Sequence, residues 1–145
     1  MTRKGDWQSQ LDRFLAARAD DSFHYGAWDC CLLVCDAVRA MTGVDMAAWF
    51  RGRYANRAEA KTLIREYTRG LSSSVASVAR TVAAAHGLPI VEPALAQRGD
   101  VVLIRRNSRE FSLGIVSLKG GSVLVLTPKG IRPIPLSLAV TAWRI

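Results

Sequence analysis

All three cysteines of the chain, Cys30, Cys31 and Cys35, fall within six residues of the stretch FHYGAWDCCLLVCDAV (Phe23 to Val38). Asp29 stands immediately before the first of them, at the junction between a glycine-containing loop and an apolar run. An aspartate at a helix N-cap would place Cys30 in the first helical turn. There the unpaired backbone N–H groups and the helix dipole favour a thiolate, so Cys30 is positioned as a nucleophile. Cys31 and Cys35 lie four apart among Leu and Val and read as core side chains, cysteine being one of the most frequently buried residue types. The odd number of thiols and the adjacency of Cys30 and Cys31 argue against a disulfide scaffold. A spacing of i, i+1, i+5 fits no standard zinc or iron–sulfur pattern, and neither a metal nor a cofactor is expected.

The elements that must hold these residues are legible from the pattern. Before about residue 87 the chain is helix-like. Trp7, Leu11, Phe14 and Leu15 share one helical face, and CCLLVCDAVRAMTG ends at Gly43 as a helix C-terminus should. VDMAAWFRGRY suggests a short helix capped by Asp45. Asn56 with Glu59 forms a capping-box pattern ahead of the next helix, which closes at Gly70. Serines open and Gly87 closes SSSVASVARTVAAAHG. From about residue 98 the runs GDVVLIRRN, FSLGIVSLKG, GSVLVLTPKG and IRPIPLSLAVTAWRI are short and β-rich, bounded by Gly, Pro, Asn and Lys. KGGS predicts a hairpin turn, and the two prolines of IRPIPLSL suit an edge strand or an extended docking arm. Helices followed by a small antiparallel sheet predict one α+β domain over residues 1–145.

Composition narrows the function classes. No uninterrupted apolar run is long enough for a membrane span, and the N-terminal MTRKGDWQSQLDRFLAARADD has no apolar stretch of the kind a secretory signal needs. The formal net charge is +8, but the arginines are dispersed and no zinc-finger or aromatic nucleic-acid motif accompanies them, which disfavours nucleic acid as a partner. A basic surface facing proteins or anionic cell-wall polymer fits better. Trp7, Trp28, Trp49 and Trp143 are candidate interface anchors, with core packing the alternative for each. The tripeptide Arg98–Asp100 reads as a strand-opening corner rather than an adhesion motif.

Taken in order, FHYGAWDCC, RGDVVLI and FSLGIVSLKG resemble the NlpC-like branch of the papain-like cysteine peptidases. That family carries Asp-Cys-Ser-Gly at the nucleophile, Gly-Asp before a strand, and His-Val-Gly-Ile at the base. The short length, the GRY preceding Ala55 and the terminal AWRI resemble the small NlpC-related proteins of phage and prophage tail-assembly genes. The resemblance implies a papain-like fold, with a Cys-bearing helix on a small antiparallel sheet, and Cys30 at the nucleophile position. It also places Ser112 where the family has its histidine, and Val123 to Leu126 where a polar residue would orient that histidine. A serine hydroxyl can neither take the thiol proton near neutral pH nor protonate a leaving amine. Only His24, six residues before Cys30, and His86 are available as substitutes.

The resulting expectation is a structural or assembly component of a phage tail tip, residing in the virion, contacting other tail or baseplate proteins and catalytically inactive. Two alternatives stand beside it. One is an active cysteine hydrolase that cuts peptidoglycan peptides, using Cys30 with His24 or another group as base. The other is a basic module binding nucleic acid or anionic cell-wall polymer. An activated Cys30 would react quickly with thiol reagents, whereas purely structural thiols would wait for unfolding.

Overall fold

Four helices precede six strands in a computed structural model that describes residues 1–145. Helix α1 (Trp7–Ala17) presents Leu11 to the core. Helix α2 (Cys30–Thr42) starts where the Asp29 side chain accepts the Leu32 N–H, and stops at Gly43, whose φ of 85° is the left-handed cap that glycine supplies without strain. Helices α3 (Arg57–Tyr67) and α4 (Val75–Ala85) are capped by Asn56 and Ser74. The capping box of α3 is displaced by one residue: Glu59 reaches the Ala55 N–H at 2.7 Å rather than that of Asn56.

The strands are β1 (Ile90–Val91), β2 (Val101–Arg105), β3 (Phe111–Val116), β4 (Ser122–Thr127), β5 (Gly130–Pro135) and β6 (Ala139–Trp143). They form one sheet in the order β1-β6-β2-β3-β4-β5, every neighbouring pair antiparallel. Pro133 and Pro135 sit on β5, an outermost strand, where a missing N–H costs no ladder bond. Alternation along β2 splits the core. Val101 and Leu103 join the cluster under the helices with Leu113, Ile115 and Trp143, while Val102 and Ile104 join Val116, Val123 and Val125 on the other face. Helix α2 packs across β3 and β4, and α4 across β3, so the Cys30 end of α2 is fixed against the middle of the sheet. Gly114 makes the β3–β4 contact possible, since a Cβ there would stand 2.4 Å from Val123 Cγ1. No helix is long and apolar enough to cross a membrane.

The fold is α+β, as the pattern of runs predicts, and two local expectations need correction. The helix expected after Asp45 is a series of turns. The Asp45 carboxylate accepts the Ala47 N–H at 3.0 Å and the Arg51 guanidinium at 2.7 and 2.9 Å, and Arg51 also bonds Asp36 on α2. Side-chain capture of this kind competes with helical pairing. The sheet also begins earlier than residue 98, because Ile90 and Val91 pair with Trp143 and Ala142.

Asp100 is fully buried at the corner that opens β2. Its carboxylate accepts from Arg3 (2.9 Å), Arg144 (2.8 Å), and the Gln97 and Ile145 backbone amides. Gly99 is required beside it, with φ at 81° and a virtual Cβ 2.9 Å from both Met41 Sδ and Trp7 Cζ3. The Arg98–Asp100 tripeptide is thus a structural corner. Among the tryptophans, Trp28 and Trp143 are buried and Trp7 half-buried, while Trp49 is exposed with the Arg53 guanidinium 3.8 Å above its ring.

Candidate functional site

The loop before α2 is shaped by its own backbone. His24 and Trp28 exchange two main-chain hydrogen bonds, at 2.7 and 2.8 Å, which close the loop on itself. Gly26 lies with φ at 77° against the Tyr54 backbone, and a Cβ there would fall 1.9 Å from the Tyr54 carbonyl oxygen. Only glycine permits that approach. The loop delivers Asp29, which is buried and fully engaged. One carboxylate oxygen caps α2 through the Leu32 N–H, and the other accepts the Gly26 N–H and the Tyr54 hydroxyl. Burial first, then the Asp29 charge and hydrogen bond, push the Tyr54 phenol far above the usual tyrosine range, so it remains a neutral donor.

Removing that donor tests the loop. Tyr54→Phe should destabilise the protein by about 1.5–3 kcal/mol, the usual loss for a hydrogen bond to a charged group. Urea denaturation with an unchanged slope would measure it, and a loss below about 0.5 kcal/mol would mean Asp29 finds another partner.

Cys30 follows, half-buried in the first turn of α2. Its thiolate is favoured chiefly by a hydrogen bond from the Cys31 thiol. Burial opposes this, the Leu113 backbone N–H supports it, the Asp29 charge opposes it, and the Ser112 hydroxyl supports it. The net shift is downward, in keeping with a place in the first turn of a helix. The neighbouring Cys31 thiol is raised well above its ordinary range by Cys30 and by burial. Cys35, a turn further on, is buried, and desolvation raises it to about 12.

Ser112 is buried near the start of β3, in register with Ile104. Cys30 and Ser112 line the same cavity. Cys31 is half-buried and packs against the main core cluster. The two histidines are elsewhere. His24 is exposed, and His86 caps the C-terminus of α4; neither lines the space around Cys30. Val123 and Leu126, which bound the segment matched to an orienting residue, are buried apolar side chains. No group of three or more His, Cys, Asp or Glu side chains is arranged to hold a metal ion.

Cys30, Cys31, Cys35 and Ser112 all border one cavity of about 460 Å³ between α2, α3, α4 and β3. Its walls are mostly apolar, including Val34, Ile64, Val78 and Phe111. Phe23 and Tyr25 flank it, their rings edge-to-face at 4.8 Å. Arg57 and Lys61 of α3, together with Arg106, Arg109 and Glu110 of the β2–β3 turn, stand around the mouth. Sequence reading places Cys30 at the head of α2 but does not find this mouth, because the two segments that form it meet only through the fold.

Chemically the site can stabilise and expose a thiolate. No imidazole lines it to shuttle a proton, and the carboxylate next to Cys30 in sequence, Asp29, is committed to three donors. Comparison with curated proteins finds no match. The family model described as Domain of unknown function (DUF6950) matches residues 2–145, nearly the whole chain, and the protein belongs to that family.

Proposed function

We propose that this protein is a non-catalytic structural or assembly component of a phage or prophage tail tip, built on an NlpC-like, papain-like scaffold whose peptidase site has decayed. The observation that carries the reading is the lining of the cavity beside Cys30, which includes Ser112 and neither histidine. Peptide hydrolysis by a thiolate requires a group that accepts the thiol proton and returns it to the leaving amine. The Cys31 thiol, raised by Cys30 and by burial, stays protonated and cannot act as that base near neutral pH. On this reading α2 is retained because its apolar face organises the core, and the basic exterior serves contacts with other tail or baseplate proteins. The family resemblance supplies the tail assignment, and the +8 charge agrees with a surface that meets acidic partners.

Two measurements test it. Incubated with purified muropeptides and whole sacculi, wild type and Cys30→Ala should release no amine above buffer, as followed by mass spectrometry. Release that depends on Cys30 would install the hydrolase reading instead. In the phage or prophage that encodes the chain, its deletion should abolish tailed particles, while Cys30→Ala should leave them intact. Normal tails after deletion would end the assembly role.

A further inference from the structure

The cavity beside Cys30 has two chemically distinct zones. The interior is mostly apolar, with three thiols and the Ser112 hydroxyl on its wall, and its carboxylate and the Ser72 and Ser74 hydroxyls are already paired. Asp29 has its three donors, and the Ser72 hydroxyl donates to Ser74 at 3.0 Å while accepting the Ser74 N–H; Ser74 in turn caps α4. A peptide or sugar entering here would give up water from its amides or hydroxyls and find few partners in return. A hydrocarbon chain carries no such penalty. The mouth is the opposite. Lys61, Arg106 and Arg109 are exposed and have no carboxylate within ion-pair distance, and Arg57 shares the one local carboxylate, Glu110, at 3.7 Å. Four cations against one anion, at the open end of an apolar chamber, set a charge requirement for what enters.

We infer that the cavity binds an anionic amphiphile with a single unbranched hydrocarbon chain, of the medium-chain fatty carboxylate class. Its chain lies along Val34, Ile64, Val78 and Phe111 toward Cys30. Its carboxylate stays between Lys61 and the Arg106–Arg109 turn. The volume of about 460 Å³ lies within the range of small-ligand pockets. The inference goes beyond the assembly role and holds whether or not Cys30 has any hydrolytic activity.

Calorimetry on the full chain with octanoate, decanoate and dodecanoate, below their micelle concentrations, tests it. Affinity should rise roughly fourfold per added methylene, the factor expected for burying each one. The same ligands should slow alkylation of Cys30 by iodoacetamide in proportion to occupancy. Dodecyltrimethylammonium, with the same chain and the opposite charge, should bind at least about tenfold more weakly. The surface double variant Lys61→Glu, Arg109→Glu should erase that preference while keeping the dependence on chain length. Affinity that ignores chain length, or binding that leaves Cys30 alkylation unchanged, would overturn the assignment. Equal affinity for the cationic amphiphile would overturn the anionic half of it. Stronger protection of Cys30 by an acidic, leucine-containing peptide than by decanoate would give the site to a protein segment instead.

Discussion

Asp100→Ala should cost about 3–5 kcal/mol of folding stability, the usual loss when one member of a buried charge network is removed. The carboxylate has no exposed surface, and both of its oxygens are used. Oδ1 accepts from Arg3 and the Ile145 amide, and Oδ2 from Arg144 and the Gln97 amide. Deleting it orphans four donors at once, one of them 97 positions away from it in sequence. The two arginines differ in how well they can recover. The Arg144 side chain is 34% exposed and can regain water, whereas that of Arg3 is 17% exposed and already holds a buried Nε with no partner. Against a total stability of about 5–15 kcal/mol for a domain of this size, such a loss brings the protein close to unfolding. Asp100→Asn keeps the shape but loses the charge and one acceptor, and should cost about half as much. Urea denaturation would show the midpoint falling with little change in slope. The paired variants Arg3→Ala and Arg144→Ala should be non-additive, because both act through one carboxylate. A loss below about 1 kcal/mol for Asp100→Ala would show that the corner is held by packing alone.

The features legible in the sequence are those written in local chemistry. Asp29, Asn56 and Ser74 act as caps on their own helices, and Gly43 ends α2, because each works within three or four residues of itself. The β runs after residue 98 are readable for the same reason, by their bounding Gly and Pro. What escapes is tertiary. Ile90 and Val91 are a strand only because Trp143 and Ala142 lie beside them. The Asp45 segment is drawn out of helix by Arg51, which answers to Asp36 on α2 as well. The bond from Tyr54 to Asp29 spans 25 positions, and no local signal marks it. His24 is settled by local geometry. Its nearness in sequence permits a return contact with Cys30, but the paired hydrogen bonds between His24 and Trp28 form a tight loop that leaves it an exposed histidine. That Cys30 and Ser112 line one cavity is likewise tertiary, and only the resemblance, not periodicity, puts the two side by side in the sequence reading.

At neutral pH, Cys30 should alkylate first and Cys35 last, with Cys35 slower by at least about a thousandfold than an ordinary thiol, because raising its pKa from 9.0 to about 12 lowers its thiolate population by that factor. Burial adds to the difference, so modification of Cys35 should report unfolding. On this count Cys30 should depart from the expectation that non-catalytic thiols are slow, because the neighbouring Cys31, Leu113 and Ser112 lower its thiol without any imidazole. Quick alkylation of Cys30 is therefore no sign of a hydrolase; the pH dependence is what separates the two. A thiolate favoured only by neutral neighbours should lose its reactivity as the pH falls, whereas one paired with a histidinium keeps it into acid. For folding, the signs run in opposite directions. The raised thiols of Cys31 and Cys35 and the raised Tyr54 phenol contribute stability that is complete below their unfolded values of about 9 to 10. That contribution is lost as pH rises through their folded values, and the lowered Cys30 only partly offsets it. Stability should thus fall steadily in alkaline solution. Iodoacetamide kinetics from pH 4 to 10, read residue by residue by mass spectrometry, would check the order and the midpoint together. A Cys30 rate that stays flat down to pH 4 would mean that a cation is paired with the sulfur in solution. That result would return the protein to the cysteine hydrolases.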